Sequence, residues 1–349
     1  MNLEIKKALS FHQKGYLREA EELYLDILSN TPKDPGILQL LGTLYLQKND
    51  IKLSKDYLIK NFNIDPNNPS TLNNLGNLEK KLNNHEKANE YFQKNIDKNN
   101  FLASWINKSN ILLQLERFEE GLEFIKKAIK NYPENTKLRN NYAVFLFNCG
   151  FKKECLDIYK DFDVKKIHFS NSYINYSKIL YSIKSYKESL FVINTLLFEN
   201  DKNLTGLRHR FLIYKDLNEL DKAEADILKA YKINNSDIVT NRTLVEFYVD
   251  TKKFDKAITY CDLMIERNID LPFFLMVKIN CKIHLGFWRD LLNDLDLFKN
   301  KIDNKTILRP LSLKYFSDDA NLHKTNAENY WVLRSKTKQV SHVVGDFVE

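Results

Sequence analysis

The sequence predicts an all-α fold in which pairs of antiparallel helices are stacked in tandem, and three observations carry that prediction. Small residues recur at a spacing close to 34, at Gly42 and Gly76 in one series and at Ala20, Ala88, Ala223 and Ala257 in another. Large apolar residues fall between them at helical spacing. With 9 Gly and 7 Pro in 349 residues and no sustained apolar–polar alternation, the chain lacks the turn chemistry and the period of a strand-rich fold. A chain of this length would ordinarily be divided among two or three globular domains. A tandem array needs no such division, because its core grows by addition.

The first unit contributes Ala8, Phe11, Gly15, Ala20, Tyr24 and Pro32, and the second, from Pro35, contributes Leu38, Leu41, Gly42, Tyr45, Leu58 and Pro66. The third, from Pro69, carries Leu72, Leu75, Gly76, Ala88 and Phe92. The fourth, with Trp105, Ser109, Leu112, Phe118, Gly121, Ala128 and Pro133, is one residue short of the period. Ala143, Leu146, Gly150 and Tyr159 mark the fifth, and Tyr173, Tyr176, Ser177, Leu180 and Tyr186 the sixth. Leu207, Tyr214, Ala223, Ile227 and Ala230 mark the seventh, and Leu244, Tyr248, Phe254, Ala257 and Met264 the eighth. A ninth, degenerate unit has Leu275, Ile279, Gly286, Trp288 and Leu295. Paired helices approach to roughly 8–10 Å only where a short side chain sits at the crossing. The Gly, Ala, Ser or Cys that recurs at positions 8 and 20, Cys155 and Ser189 included, therefore answers a packing requirement, and the recurrent Tyr and Phe are core.

This pattern resembles the tetratricopeptide repeat, whose unit has a large residue at position 4, Gly or Ala at 8, an aromatic at 11, Ala at 20 and Pro near 32. The resemblance implies a right-handed superhelix, an α-solenoid of eight repeats over residues 1–270 with a degenerate capping repeat over 271–305. It also implies that the first helices line a concave groove. Asn74, Asn107, Asn141 and Asn175 occupy position 6 of four successive first helices, and His209 follows at the same place. An amide both donates and accepts, so this series is the candidate peptide-binding ladder. An extended chain rising about 3.3–3.6 Å per residue would meet an Asn at every third residue or so. The plainer alternative is a set of solvated side chains in an Asn-rich sequence. The basic clamp that holds chaperone C-terminal carboxylates is missing: positions 5 and 9 read Asn73 and Asn77, then Ile106 and Asn110, then Asn140 and Val144.

The net charge of +7, from 53 Lys and Arg against 46 Asp and Glu, is scattered and forms no basic stripe interleaved with aromatics, which argues against nucleic acid as partner. Cys149, Cys155, Cys261 and Cys281 form no C-x-x-C pair or zinc spacing, and read as free core residues in a cytoplasmic protein. The charged N-terminus lacks the pattern of a signal peptide, and the longest apolar run, Leu271 to Val277, is far too short to cross a bilayer. No phosphate loop, G-x-S-x-G or H-E-x-x-H occurs, and the seven histidines lie apart, so no catalytic residue, cofactor or metal is assigned.

The end of the chain departs from the repeat. Gly286-Phe287-Trp288, the run Arg309-Pro310-Leu311 to Asp318-Asp319, a helix from Asn321 to Tyr330, and Asp346-Phe347 together resemble the junction that leads into the catalytic half of the O-linked N-acetylglucosamine transferase (SPINDLY-like) family. Ser341, His342 and Val344 stand where that family has Gly, Tyr and Ser. The resemblance implies that residues 306–349 are a linker helix and the start of a glycosyltransferase domain using UDP-GlcNAc, whose sugar site would lie beyond Glu349. The chain alone is then expected to be no enzyme but a scaffold that binds extended polypeptide in its groove, as the substrate-recruiting half of such a transferase. The alternative is a stand-alone adaptor using the same groove. The run Phe273-Phe274-Leu275 reads either as core or as a homodimer contact.

Overall fold

The computed structural model describes residues 3–160, 170–287 and 291–299. Trp288, the last residues of the capping repeat and the whole stretch 306–349, with its expected linker helix and catalytic start, lie outside the described residues. The chain divides after Asp161 into two compact units. The first holds α1 (Leu3–Gln13), α2 (Leu17–Asn30), α3 (Pro35–Gln47), α4 (Ile51–Ile64), α5 (Pro69–Lys81), α6 (His85–Asn99), α7 (Leu102–Gln114), α8 (Phe118–Asn131), α9 (Thr136–Asn148) and α10 (Lys152–Lys160). The second holds α11 (Ser170–Ser182), α12 (Tyr186–Glu199), α13 (Leu204–Asp216), α14 (Leu220–Ile233), α15 (Ile238–Asp250), α16 (Phe254–Glu266), α17 (Leu271–Leu285) and α18 (Leu291–Lys299). Among the described residues there is no strand, and the fold is the tandem array of helix pairs that the period requires.

Five first helices, α3, α5, α9, α13 and α15, start on a side-chain cap. The side chains of Asp34, Asn68, Asn135, Asn203 and Asp237 accept from the backbone N–H three residues on, satisfying a donor that the first helical turn leaves free. The junction into the fourth repeat shows the cost of the missing residue: α7 starts after Phe101, which has no capping side chain. Asn100, displaced into the left-handed region, instead accepts from Trp105 Nε1 at 2.8 Å.

The turn inside each pair is also fixed. Position 15 has positive φ in all eight repeats: Gly15, Asn49, Asn83, Glu116, Gly150, Lys184, Asn218 and Lys252. The next N–H then reaches back to the carbonyl of position 11, as in Asp50 to Tyr45 (2.9 Å) and Lys253 to Tyr248 (2.8 Å). This closes the first helix and reverses the chain.

Within each unit, successive first helices touch: α3 with α5, α5 with α7 and α7 with α9 in the first, α11 with α13 and α15 with α17 in the second. Among the described residues no two second helices approach to the same extent, so the first-helix side is the closer-spaced, inner side. Side chains at positions 8 and 20 are sealed in: Ala20, Ala88, Cys155, Ser189, Ala223 and Ala257 are fully buried. Phe274 and Leu275 are fully buried as well, so both belong to the core.

Gly121 marks the tightest crossing. A Cβ there would lie 1.9 Å from Cε1 of Phe145, which fills from the next repeat the room that an alanine methyl takes at this position elsewhere. Gly121→Ala should therefore destabilise the fold by about 1–3 kcal/mol. Phe145→Leu should cost much less in the Gly121→Ala background than alone, because it vacates the clashing space. Urea melts of the four proteins in this cycle test both statements, and additive effects would mean that the two side chains do not share this space.

Candidate functional site

Three members of the position-6 series, Asn74, Asn107 and Asn141, are clasps between neighbouring first helices. Asn74 Nδ2 donates to Thr43 Oγ1 at 2.7 Å. Asn107 Nδ2 donates to Asn73 Oδ1 at 3.0 Å and Asn77 Oδ1 at 3.1 Å. Asn141 Nδ2 donates to Ser109 Oγ at 2.8 Å and Asn110 Oδ1 at 2.7 Å. Every one of these donors points back to the preceding repeat.

Burial corrects the expectation that the whole series is displayed in a groove. Asn74 and Asn107 are half-buried, but Asn141 is 4 % exposed, Asn175 3 % and His209 4 %. These three lie beneath the surface because position 6 faces the seam between helices as much as the inner side.

The clasps orient their partners. With the Oδ1 atoms of Asn73, Asn77 and Asn110 occupied by Asn107 and Asn141, the amide nitrogens of these three half-buried residues are left without an acceptor among the described residues. They form a row of donors on α5 and α7. Sequence reasoning weighed positions 5 and 9 only as a carboxylate clamp and passed over this row. The signal was present as consecutive asparagines, Asn73-Asn74 and Asn140-Asn141, one to clasp and one to be held. In the second pair the held residue is turned inward: Asn140 Oδ1 accepts from buried Tyr159.

In the second unit His209 replaces the amide. Its ring packs edge-on against Tyr181 with centroids 5.6 Å apart, and it is bonded to the Ser177 backbone, while Nε2 has no hydrogen-bond partner. Burial, aided by the Lys178 ammonium, pushes its pKa down to about 4 against the pull of the Ser177 bond. The imidazole is neutral at physiological pH. A cavity of about 290 Å³ opens between α15 and α17, with Val249, Phe273 and Met276 as its apolar walls and Glu246, Asn280 and His284 as polar lining. Of its acids, Asp250 is engaged by Lys215 Nζ at 2.6 Å. Among the described residues no group of three or more His, Cys, Asp or Glu could hold a metal ion, and no helix is long and apolar enough to cross a membrane.

A sequence model of the tetratricopeptide repeat matches residues 35–68, 69–97, 102–135 and 212–237. These segments are tetratricopeptide repeats. A tetratricopeptide repeat protein from Parabacteroides merdae superposes with a TM-score of 0.58 at 18% identity, over 69% of this chain and 96% of that one. A chain of the APC/C hetero-tetramer Cut9–Hcn1 gives 0.57 at 16% identity over 68% of this chain and 47% of the other. PilW, a type IV pilus biogenesis factor, gives 0.50 at 15% identity over 56% of this chain and 91% of its own. Identities this low speak to the fold alone, and that fold is the tetratricopeptide solenoid. Among curated proteins none matches the sequence significantly.

His209 makes stability depend on pH. Its folded pKa lies below the ordinary value of 6.5, so the unfolded chain takes up the proton first as pH falls. The stability it contributes is intact above about 6.5 and drains away between there and about 4. It amounts to at most roughly 3 kcal/mol. His209→Asn, which restores the amide of the other repeats, should flatten this part of the pH profile in denaturant melts between pH 7 and 4. An unchanged slope would show that other groups carry it.

Proposed function

We propose that the chain is a protein-interaction scaffold that holds an extended polypeptide segment on the first-helix side of residues 3–160. The observation behind this reading is the row of unused amide donors at Asn73, Asn77 and Asn110, held outward by the clasps beneath them. Half-buried donors without acceptors call for a guest rich in acceptors, and peptide carbonyls supply them whatever the guest's side chains. Asn74 and Asn107 border the row, and their Oδ1 atoms accept nothing from the described residues, leaving acceptors for guest N–H groups. Asn141 supports from below, and in the second unit His209, bonded to the Ser177 backbone, takes that role, while Asn175 is buried. The buried free thiols of Cys155, Cys261 and Cys281 fit a reducing compartment such as the cytoplasm.

Peptides selected from a random library against the intact protein provide the test. Changing Asn73 and Asn110 together to Ala should weaken their binding by about 1–3 kcal/mol, since each amide gives up about 0.5–1.5 kcal/mol of net hydrogen bonding. Helicity should stay the same. Asn141→Ala should instead lower stability by about 1–3 kcal/mol, because it leaves buried acceptors unpaired. Selected peptides that bind the double variant as tightly as the parent would remove the amide row from the recognition surface.

A second reading rests on the resemblance of Gly286 to Trp288 and Pro310 to Phe347 to the O-GlcNAc transferase junction. On that reading the same face recruits protein substrates for a UDP-GlcNAc-dependent transferase. Coding sequence downstream of Glu349 decides it: the reading requires a continuous frame into a nucleotide-sugar-binding fold, and a stop codon there ends it.

A further inference from the structure

Position 7 of the first helix is a core position. Lys7 at that place in the first repeat is exposed, yet three later repeats hold a buried or half-buried cation there: Lys108, Arg210 and Lys278. Each has the same two neighbours, position 23 of its own repeat and position 25 of the repeat before. At Arg210 these are Asp226 and Asn194. The guanidinium grips Asp226 through Nε (2.7 Å) and a terminal nitrogen (2.6 Å), and donates to Asn194 Oδ1 at 2.7 Å. At Lys278 they are Asp294 (3.0 Å) and Asp262 (2.8 Å). Both cations are neutralised where they sit.

Lys108 is the exception. Its Nζ donates to Gln93 Oε1 at 2.6 Å, the equivalent of the Asn194 bond, but position 23 is Phe124, whose ring centroid lies 5.1 Å from Nζ. No carboxylate within the described residues comes within ion-pair distance, although the side chain is only 8 % exposed. Burial lowers its pKa, while Glu120, Asp97 and Glu86 pull upward only from a distance, against the repulsion of Arg117. An ammonium has three donors. One is used on a neutral amide, and the anion that both counterparts possess is missing.

Lys108 also lines an open cavity of about 450 Å³ along α6, on the second-helix side and away from the amide row. Lys94 and Lys98 share its lining with Glu86, Glu90 and Asp97. Glu86 is engaged by Arg117 at 3.1 Å, and Asp97 accepts from Gln93 Nε2 at 2.6 Å. With the lysines balanced by acids, the rim holds no surplus positive charge to favour a dianion such as phosphate. A single carboxylate suits it better.

We propose that Lys108 is the floor of a carboxylate-binding site, in which an Asp or Glu side chain of another polypeptide supplies the counter-ion that Asp226 and Asp294 supply in their repeats. The site is independent of peptide binding on the inner side. Removing the anion from such a pair leaves a buried charge uncompensated, and binding restores it.

The test follows the Lys108 side chain by NMR in lysine-labelled protein, titrated with hexaglutamate, glutarate and inorganic phosphate. Hexaglutamate should shift the Lys108 resonance saturably at millimolar concentration and raise its pKa, ahead of the other two probes. Lys108→Met should weaken hexaglutamate binding at least about tenfold, ~1.4 kcal/mol. Phe124→Asp, which copies the Arg210 arrangement, should raise the Lys108 pKa without ligand and abolish binding. Should Phe124→Asp fail to fold, Lys108→Met still decides. Hexaglutamate that leaves Lys108 unmoved, or binds the Lys108→Met variant as well as the parent, would overturn the site. Tighter binding of phosphate would overturn the carboxylate assignment, and equal binding of glutarate would overturn the polypeptide source.

Discussion

Everything in this molecule depends on how closely two helices can approach. The crossings at position 20 of the eight repeats, and at position 8 of the first six, hold nothing larger than Ala, Ser or Cys, and the structure around Gly42, Gly76 and Gly121 shows why: the end of a Leu or Phe side chain already occupies the place where a Cβ would stand. Close approach brings the flanking large side chains into contact along the whole seam, which is where an array of short helices gains its stability. It also sets the distance between successive first helices. That distance lets a side chain as short as asparagine reach across from one repeat to the next.

Much of the fold was legible for this reason. A steric limit as strict as the one at Ala88 or Ala223 leaves a small residue in repeat after repeat, so period, helix pairing and the one-residue shortening ahead of the fourth repeat could be read directly. The turns were less visible. Position 15 takes the left-handed conformation in eight repeats, and only Gly15, Gly150 and the asparagines Asn49, Asn83 and Asn218 are residues disposed to it. At Glu116, Lys184 and Lys252 the neighbouring packing imposes a conformation that the residue itself disfavours. Asn100 was opaque too, because its role exists only once the missing residue has moved it next to Trp105.

The site was half legible. The Asn series stood out as letters at a fixed spacing, yet spacing does not say which way an amide turns. Whether position 6 shows itself or is sealed depends on local bulk. Asn107 stays half-buried over Asn73 and Asn77, whereas Asn141 sinks between Ser109 and Asn110. The consequence, that the neighbours at positions 5 and 9 carry the free donors, needs coordinates. Lys108 is the opposite case. The sequence reading passed over this charged residue at an apolar position, and only comparison with Arg210 and Lys278 gives it a meaning.

The clasps have a mechanical side. Each ties one first helix to the one before it, on the inner side, and among the described residues of the first unit no side-chain hydrogen bond joins two second helices, whereas in the second unit Lys256 of α16 donates to Glu224 of α14 at 2.7 Å. Flattening such an array must stretch the Asn74, Asn107 and Asn141 bonds in series, while further curling only loosens contacts between second helices. The first unit should behave like a leaf spring with its stiff layer inside, resisting extension more than compression. Replacing one amide would then soften a single joint and leave the rest of the spring unchanged.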